Sequence, residues 1–320
     1  MRVLITTTSF MDTPGGHHDL LRDLGYEIIT ARGPLSEEEM LALLGEVDGL
    51  ICGDDLISRK VMHKALPRLR VISKYGIGVD RIDLKAAGEF GLPVGYTPGV
   101  NDVTVAEHVF GLMISLARNI PQENELVKKG LWQRITGHEL WGKTLAIMGL
   151  GRTGKQVAKR ALAFEMRVLA CDPRWDDLFC RQHGVQRCRV AEELLPQADF
   201  VSLHMNLTAE NRYFINRQRL ELMKPSAYLI NCARGALVNS ADLVTALKAG
   251  RLAGYATDVL ESEPVRPDDP LLACDLPNLI LTPHIGSRTY ESVVRQAFMA
   301  VQNLAAVLSG KKPLAQVSLE

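Results

Sequence analysis

Leu145-Ala146-Ile147-Met148-Gly149-Leu150-Gly151-Arg152-Thr153-Gly154 is the stretch on which the reading of this chain turns. A buried-strand pattern runs into G-x-G-x-x-G, and a helical pattern from Thr153 to Phe164 follows. Alone, the glycine spacing marks no more than a tight turn. Between a strand and a helix it reads as a dinucleotide cradle. Gly149 permits the turn, Gly151 lets backbone approach a pyrophosphate, and Gly154 lets helix and strand pack closely. The helix start adds free N–H groups and the positive end of its dipole. A second strand pattern ends at Asp172, whose carboxylate suits the adenosine ribose hydroxyls and repels a 2′-phosphate. The cofactor implied is NAD rather than NADP.

Two phosphate-loop look-alikes lie nearby. Gly137-His138-Glu139-Leu140-Trp141-Gly142-Lys143-Thr144 fits G-x-x-x-x-G-K-[ST], but a strand follows it where a P-loop opens a helix. Gly149 to Lys155 has the right context but continues with Gln156, which has no hydroxyl to hold magnesium. A P-loop nucleotide-binding protein is therefore a remote alternative.

Working outward, short apolar runs alternate with amphipathic stretches. Strands are expected at Val3–Thr6, Tyr26–Ile29, Gly49–Cys52, Val71–Ser73 and Val94–Tyr96. After a long helix, Asp102 to Asn119, stopped by Pro121, come Leu145–Met148, Arg167–Cys171, Phe200–His204, Tyr228–Asn231, Tyr255–Thr257 and Leu279–Thr282. The box Ser36-Glu37-Glu38-Glu39 opens one of the intervening helices. Such alternation predicts parallel sheets covered by helices. The expected architecture is α/β, with two doubly wound parallel-sheet domains. A Rossmann NAD-binding domain (99–287) is inserted in a flavodoxin-like substrate domain (1–98 plus 288–320), to which the last helix, roughly Arg288 to Leu308, returns.

Three later strands each end in polar residues, at the edge where open α/β sheets bind ligands. They lead to Ala233-Arg234-Gly235, to Asp258 with Glu261-Ser262-Glu263-Pro264, and to Pro283-His284-Ile285-Gly286. A 2-oxo acid needs such groups. An arginine fork grips its carboxylate and polarises its carbonyl. A histidine gives and retrieves a proton as hydride moves. A carboxylate beside that histidine favours imidazolium and fixes the ring. Singly, each residue has a plainer reading as a surface ion-pair partner, a solvated loop residue or a strand-end histidine. Together, downstream of a nucleotide fold, they read as catalytic.

These segments, with Ser73-Lys74-Tyr75-Gly76-Ile77-Gly78-Val79-Asp80, Gly142-Lys143-Thr144 and Asn231-Cys232-Ala233-Arg234-Gly235, resemble the D-isomer-specific 2-hydroxyacid dehydrogenase family over about residues 47 to 310. Within it they look most like the D-3-phosphoglycerate dehydrogenase branch. The resemblance implies that Arg234 binds substrate, His284 is the acid/base and Glu263 is its partner. It implies that Asp258 bonds the nicotinamide carboxamide, and that backbone near Arg152-Thr153 and Cys232 lines the NAD site. The Gly76-Ile77-Gly78 turn would offer N–H groups to the substrate carboxylate. A two-fold homodimer is also implied, with Val105, Val109, Leu112 and Leu116 read as either interface or core. A non-enzymatic, NAD-sensing co-repressor of the same fold keeps the same trio and stays open as an alternative. Formate dehydrogenase fits less well, because it carries glutamine where Glu263 stands.

Some features depart from the family. Phosphoglycerate dehydrogenases often carry a cation in the turn after the third strand, for the substrate phosphate. Here that turn is Gly53-Asp54-Asp55, which disfavours a dianionic phosphate unless the two carboxylates point to solvent and Lys74 supplies a cation. His204-Met205-Asn206-Leu207 lacks the family's proline. The end at Glu320 leaves no room for a regulatory domain, so serine feedback through one is not expected.

Lys+Arg 37 balances Asp+Glu 37 with no basic stripe, so nucleic-acid binding is not expected. The apolar stretch Val109 to Ala117 is too short to span a bilayer, and the start lacks a signal-peptide pattern. Six cysteines without a C-x-x-C pair suit a reducing cytoplasm and no zinc site. The adjacent His17-His18 read as a surface turn, and no metal is expected.

Overall fold

The computed structural model describes residues 1–318 of the 320-residue chain. It divides into two compact units: Met1–Asn101 together with the chain from Ser287 onward, and Asp102–Gly286.

The first unit holds β1 (Arg2–Ile5), β2 (Glu27–Thr30), β3 (Gly49–Cys52), β4 (Val71–Lys74) and β5 (Val94–Gly95) in the order β2-β1-β3-β4-β5, all parallel. That is the flavodoxin-like winding. Successive residues of a strand face opposite sides, so a sheet covered on both faces needs unbroken apolar runs. Leu4, Leu50, Ile72 and Val94 face Met40, Leu44, Val61 and Met62. On the other side Val3, Ile5, Ile51 and Val71 meet Val293, Ala297, Val301 and Leu304 of the C-terminal helix Tyr290–Leu308. The expected capping box is present: Glu39 N–H donates to Ser36 Oγ, and Ser36 N–H donates to Glu39 Oε2 at 2.8 Å.

The second unit holds β6 (Thr144–Met148), β7 (Arg167–Cys171), β8 (Gln186–Arg187), β9 (Phe200–Leu203), β10 (Tyr228–Asn231), β11 (Gly254–Thr257) and β12 (Leu279–Leu281). Their order is β12-β11-β10-β9-β6-β7-β8, again all parallel, which is the Rossmann winding with one strand added. The helices Asp102–Ala117 and Arg152–Ala163 share one face of the sheet, packing Val109, Met113, Val157 and Ala161 against Leu145, Ile147 and Ile230.

Some expectations need correction. Pro121 does not merely stop the long helix. That helix ends at Ala117, Asn119 turns left-handed (φ 53°), and Pro121 sits in the first turn of a second helix, Ile120–Lys128. Proline suits that turn because its missing N–H has no helical acceptor there. The edge strand β8 went unforeseen because its two residues are both exposed. His17 is not on a surface turn. It is fully buried in the helix Gly16–Asp23, its Nε2 3.0 Å from the Phe10 carbonyl and its ring edge-on to Phe10. Val109, Leu112 and Leu116 are buried within the single chain, so they are core, while Val105 is half-buried. The segment Gly137 to Thr144 runs into β6, and Lys155 donates to Asp176 at 2.5 Å, so neither phosphate-loop reading holds. Among the described residues no helix is long and apolar enough to cross a membrane.

Candidate active site

The glycine loop closes β6 onto its helix. Gly149 is left-handed at φ 94°, and a Cβ there would lie 2.7 Å from the His204 carbonyl. A Cβ on Gly154 would lie 2.1 Å from the Gly149 carbonyl oxygen. Gly151 is different. It is exposed, nothing lies within 4 Å of its missing Cβ, and as N-cap of Arg152–Ala163 it brings no capping side chain. The first-turn N–H groups, including those of Arg152 and Thr153, therefore suit a phosphate acceptor. Asp172 braces the same loop, its Oδ2 accepting from Leu150 N–H and its Oδ1 from Arg174 N–H, each at 2.7 Å. A carboxylate has about four lone-pair sites, so acceptor capacity for ribose hydroxyls remains. These residues fit a dinucleotide.

Three strand ends then lie side by side, because Asn231 pairs with Thr257 and Thr257 with Leu281 in register. From β10 comes the Arg234 turn. Asn231 clasps it, donating to the Arg234 carbonyl at 2.9 Å and accepting from Ala233 N–H at 3.0 Å. From β11 comes the Glu263 turn, where Glu263 Oε1 accepts from Leu260 N–H at 3.0 Å. The two turns abut at Gly235, where a Cβ would lie 2.1 Å from the Leu260 backbone. From β12 comes the His284 turn. His284 Nδ1 lies 2.6 Å from Glu263 Oε2, leaving Nε2 as the ring's other proton site. His284 is itself left-handed (φ 53°), a conformation that costs a non-glycine residue about 1–2 kcal/mol.

Asp258 is almost fully buried and spans this last turn. Its carbonyl accepts from His284 N–H at 2.8 Å. Its Oδ1 accepts from Thr282 Oγ1 (2.6 Å) and Ile285 N–H (2.9 Å), and its Oδ2 from Gly286 N–H (2.7 Å). Burial alone would push its carboxyl up. Bonds from His108, Thr282, Ile285 and Gly286 outweigh that and hold it below its ordinary 3.8. For Cys232, burial and the charge of Asp258 hold the thiol well above its ordinary range, so it is not a nucleophilic thiolate. Burial pushes His204 down to about 4, so it is neutral at physiological pH.

In the first unit, Gly76 (φ 128°) follows β4 as expected, but its N–H already donates to Thr97 Oγ1 at 2.8 Å. One N–H carries one proton, so of the three amides implied for a substrate carboxylate only those of exposed Ile77 and half-buried Gly78 are left. Asp55 does not point to solvent. It is buried and accepts from Thr6 Oγ1, Leu35 N–H (2.7 Å) and Gly53 N–H (3.0 Å). Lys74 is buried too, and its Nζ donates to the Gly53 carbonyl (2.6 Å) and to Asp54 Oδ1 (2.7 Å).

The roles of Asn231, Thr97, Asp55, Thr282 and His108 were not read from the sequence. For Asn231, Thr97 and Asp55, burial of a small polar residue near a strand end was the available signal, since such groups must bond to something, whereas half-buried Thr282 and the helical His108 carried none.

A Rossmann sheet, a glycine loop at a helix start and a carboxylate at the second strand end define a dinucleotide-binding protein. Residues 110–286 match the model of the D-isomer specific 2-hydroxyacid dehydrogenase, NAD binding domain. A glyoxylate reductase of Thermofilum pendens is 42% identical over 296 residues, covering 90% of this chain and 86% of that protein. A D-3-phosphoglycerate dehydrogenase of Methanocaldococcus jannaschii is 40% identical over 295 residues, covering 91% of this chain and 55% of that protein, so the chain spans about half of its length. Among solved structures, a protein of Thermus thermophilus gives a TM-score of 0.89 at 42% identity, covering 99% of this chain and 100% of that one. The chain belongs to the D-isomer specific 2-hydroxyacid dehydrogenase family, whose members are NAD-dependent oxidoreductases acting on 2-hydroxy acids.

Proposed function

We propose that the chain is a D-2-hydroxyacid dehydrogenase that interconverts small, unphosphorylated 2-oxo acids and the corresponding 2-hydroxy acids (D where C2 is chiral), such as glyoxylate and glycolate. The observation that carries this reading is the 2.6 Å contact of Glu263 with His284, beside the Arg234 turn at the ligand-binding edge of an NAD-binding sheet. When bound, the nicotinamide gives up or takes back the hydride. Arg234 binds the substrate carboxylate and polarises the carbonyl. His284, as imidazolium, donates its Nε2 proton to the substrate oxygen during reduction, and as neutral imidazole it accepts the alcohol proton during oxidation. Glu263 stabilises the imidazolium and fixes the ring. We read the first unit as the substrate domain. Asp172 favours NAD over NADP.

Lys74 supports the choice of an unphosphorylated substrate. Its charge is already met by Asp54, and Asp55 adds a further carboxylate to the turn where a phosphate would need a cation. The test is oxidation with NAD of D-3-phosphoglycerate against achiral glycolate and unphosphorylated D-2-hydroxy acids. Higher kcat/KM for an unphosphorylated acid is expected, and preference for D-3-phosphoglycerate would overturn the substrate assignment.

We also read the chain as a cytoplasmic homodimer. All six cysteines are free thiols, which suits a reducing compartment. Trp132 (82% exposed), Trp141 (64%) and Val127 (52%) are exposed large apolar side chains of the kind a second copy covers.

A further inference from the structure

We propose that His108, on the helix Asp102–Ala117, is a positioning residue that holds the turn presenting His284. The proposal rests on the reading of His284 as the proton donor.

That turn needs holding. A left-handed histidine persists only where its surroundings over-determine it. Asp258 supplies most of the restraint, collecting the N–H groups of His284, Ile285 and Gly286 and the hydroxyl of Thr282. Those bonds tie the turn to the neighbouring strand end. They do not tie it to the helical layer of the unit.

His108 does. Its Nε2 lies 3.1 Å from Thr282 Oγ1 and 3.4 Å from Asp258 Oδ1, so one ring nitrogen reaches two groups that fix the turn. Its Cδ2 lies 3.4 Å from where a Cβ on Gly286 would stand, so the ring lies close over the end of the same turn. With Nε2 protonated, in the neutral ring or in imidazolium, it donates toward Thr282 and Asp258, while Thr282 donates onward to Asp258. The chain of bonds therefore survives either charge state.

The helix that carries His108 is firmly seated. Ala106, Val109, Phe110 and Met113 are buried. Phe110 stacks on Phe164 at 5.1 Å, and Glu107, the neighbour of His108, meets Arg160 at 3.2 Å. Arg160 lies in the helix that starts at the glycine loop. Through His108, the His284 turn is thus referenced to a helix packed against the one that opens the dinucleotide cradle. A loss of register of about 1 Å between reacting groups costs on the order of 100-fold in rate, so a modest loosening is measurable.

The test compares His108→Leu with His108→Gln, which keeps an N–H donor. We measure glyoxylate reduction at saturating NADH, NADH affinity by fluorescence, and the histidine ring resonances of the cofactor-free protein. His108→Leu is expected to lower kcat about tenfold with NADH affinity within twofold of wild type, and to broaden the His284 ring signal. His108→Gln is expected to recover most of kcat and the sharp signal. Wild-type kcat in His108→Leu, or equal loss in both variants, overturns the proposal. Should His108→Leu fail to fold, Thr282→Val breaks the same link. Its kcat is then expected to fall likewise, and an unchanged kcat is the overturning result. His284→Gln separates the two levels. If it keeps full turnover, the proton-donor reading fails. If it is inactive while His108→Leu is normal, only the role of His108 fails.

Discussion

His284 Nδ1 stands 2.6 Å from Glu263 Oε2, and both residues are held by backbone that follows β11. Leu260 N–H fixes the far oxygen of Glu263, and the Asp258 carbonyl fixes the amide of His284. The ring is therefore aimed by backbone, and a pair so fixed loses little freedom when substrate arrives.

Glu263→Gln keeps the size of the side chain and removes the charge that favours imidazolium. Oxo-acid reduction at pH 7 is expected to fall about 100-fold in kcat, with NADH affinity unchanged. Steady-state kinetics with fluorescence titration of NADH check this.

Arg234→Ala removes the fork proposed for the substrate carboxylate. Turnover at saturating cofactor is expected to fall about 100-fold or more, and Arg234→Lys is expected to recover only part of it, because a point charge does not reproduce the bidentate geometry. Near-normal kinetics in Arg234→Ala would remove the residue from the mechanism.

Asp172→Ser removes the charge that repels a 2′-phosphate. The ratio of kcat/KM for NADPH over NADH is expected to rise about tenfold or more, since juxtaposed like charges cost several kcal/mol. Loss of the bonds to Leu150 and Arg174 N–H groups is expected to lower the melting temperature as well.

Asp258 gives a pH signature. Its folded-state carboxyl lies below the ordinary 3.8, so its stabilisation is present in full above that value and is lost as pH falls through the depressed folded value. Asp258→Asn is expected to destabilise by about 3 kcal/mol at pH 7, because an amide NH2 replaces an acceptor facing N–H donors. The melting-temperature gap between wild type and variant is expected to narrow below pH 4. A gap that stays constant from pH 7 to pH 3 would argue against the assignment.

The fold was legible because parallel sheets bury both faces. β6, β9 and β10 are buried at every residue, and each is mostly apolar, with one small polar residue apiece in Thr144, Ser202 and Asn231. β8 has two exposed residues and no apolar run. The pyrophosphate loop was legible because glycine is required there sterically, at Gly149 and Gly154 alike. Arg234, Glu263 and His284 were legible as polar residues at strand ends, but their spacing does not reveal what holds them. His108 contacts Thr282 across 174 positions of sequence, inside a helix that otherwise reads as core. The sequence alone leaves the turn after β3 open for a related reason. Whether Asp54 and Asp55 face solvent depends on Lys74 and Thr6, which arrive from neighbouring strands.

Proton donation by His284 is tested most directly by the pH dependence of single-turnover glyoxylate reduction, with NADH pre-bound, in wild type and His284→Gln. The rate in wild type is predicted to fall about tenfold per pH unit once the imidazolium deprotonates, and the variant is predicted to be slow and to lack that slope. A wild-type rate that is flat from pH 6 to pH 9, or a variant that matches wild type across that range, would contradict the account.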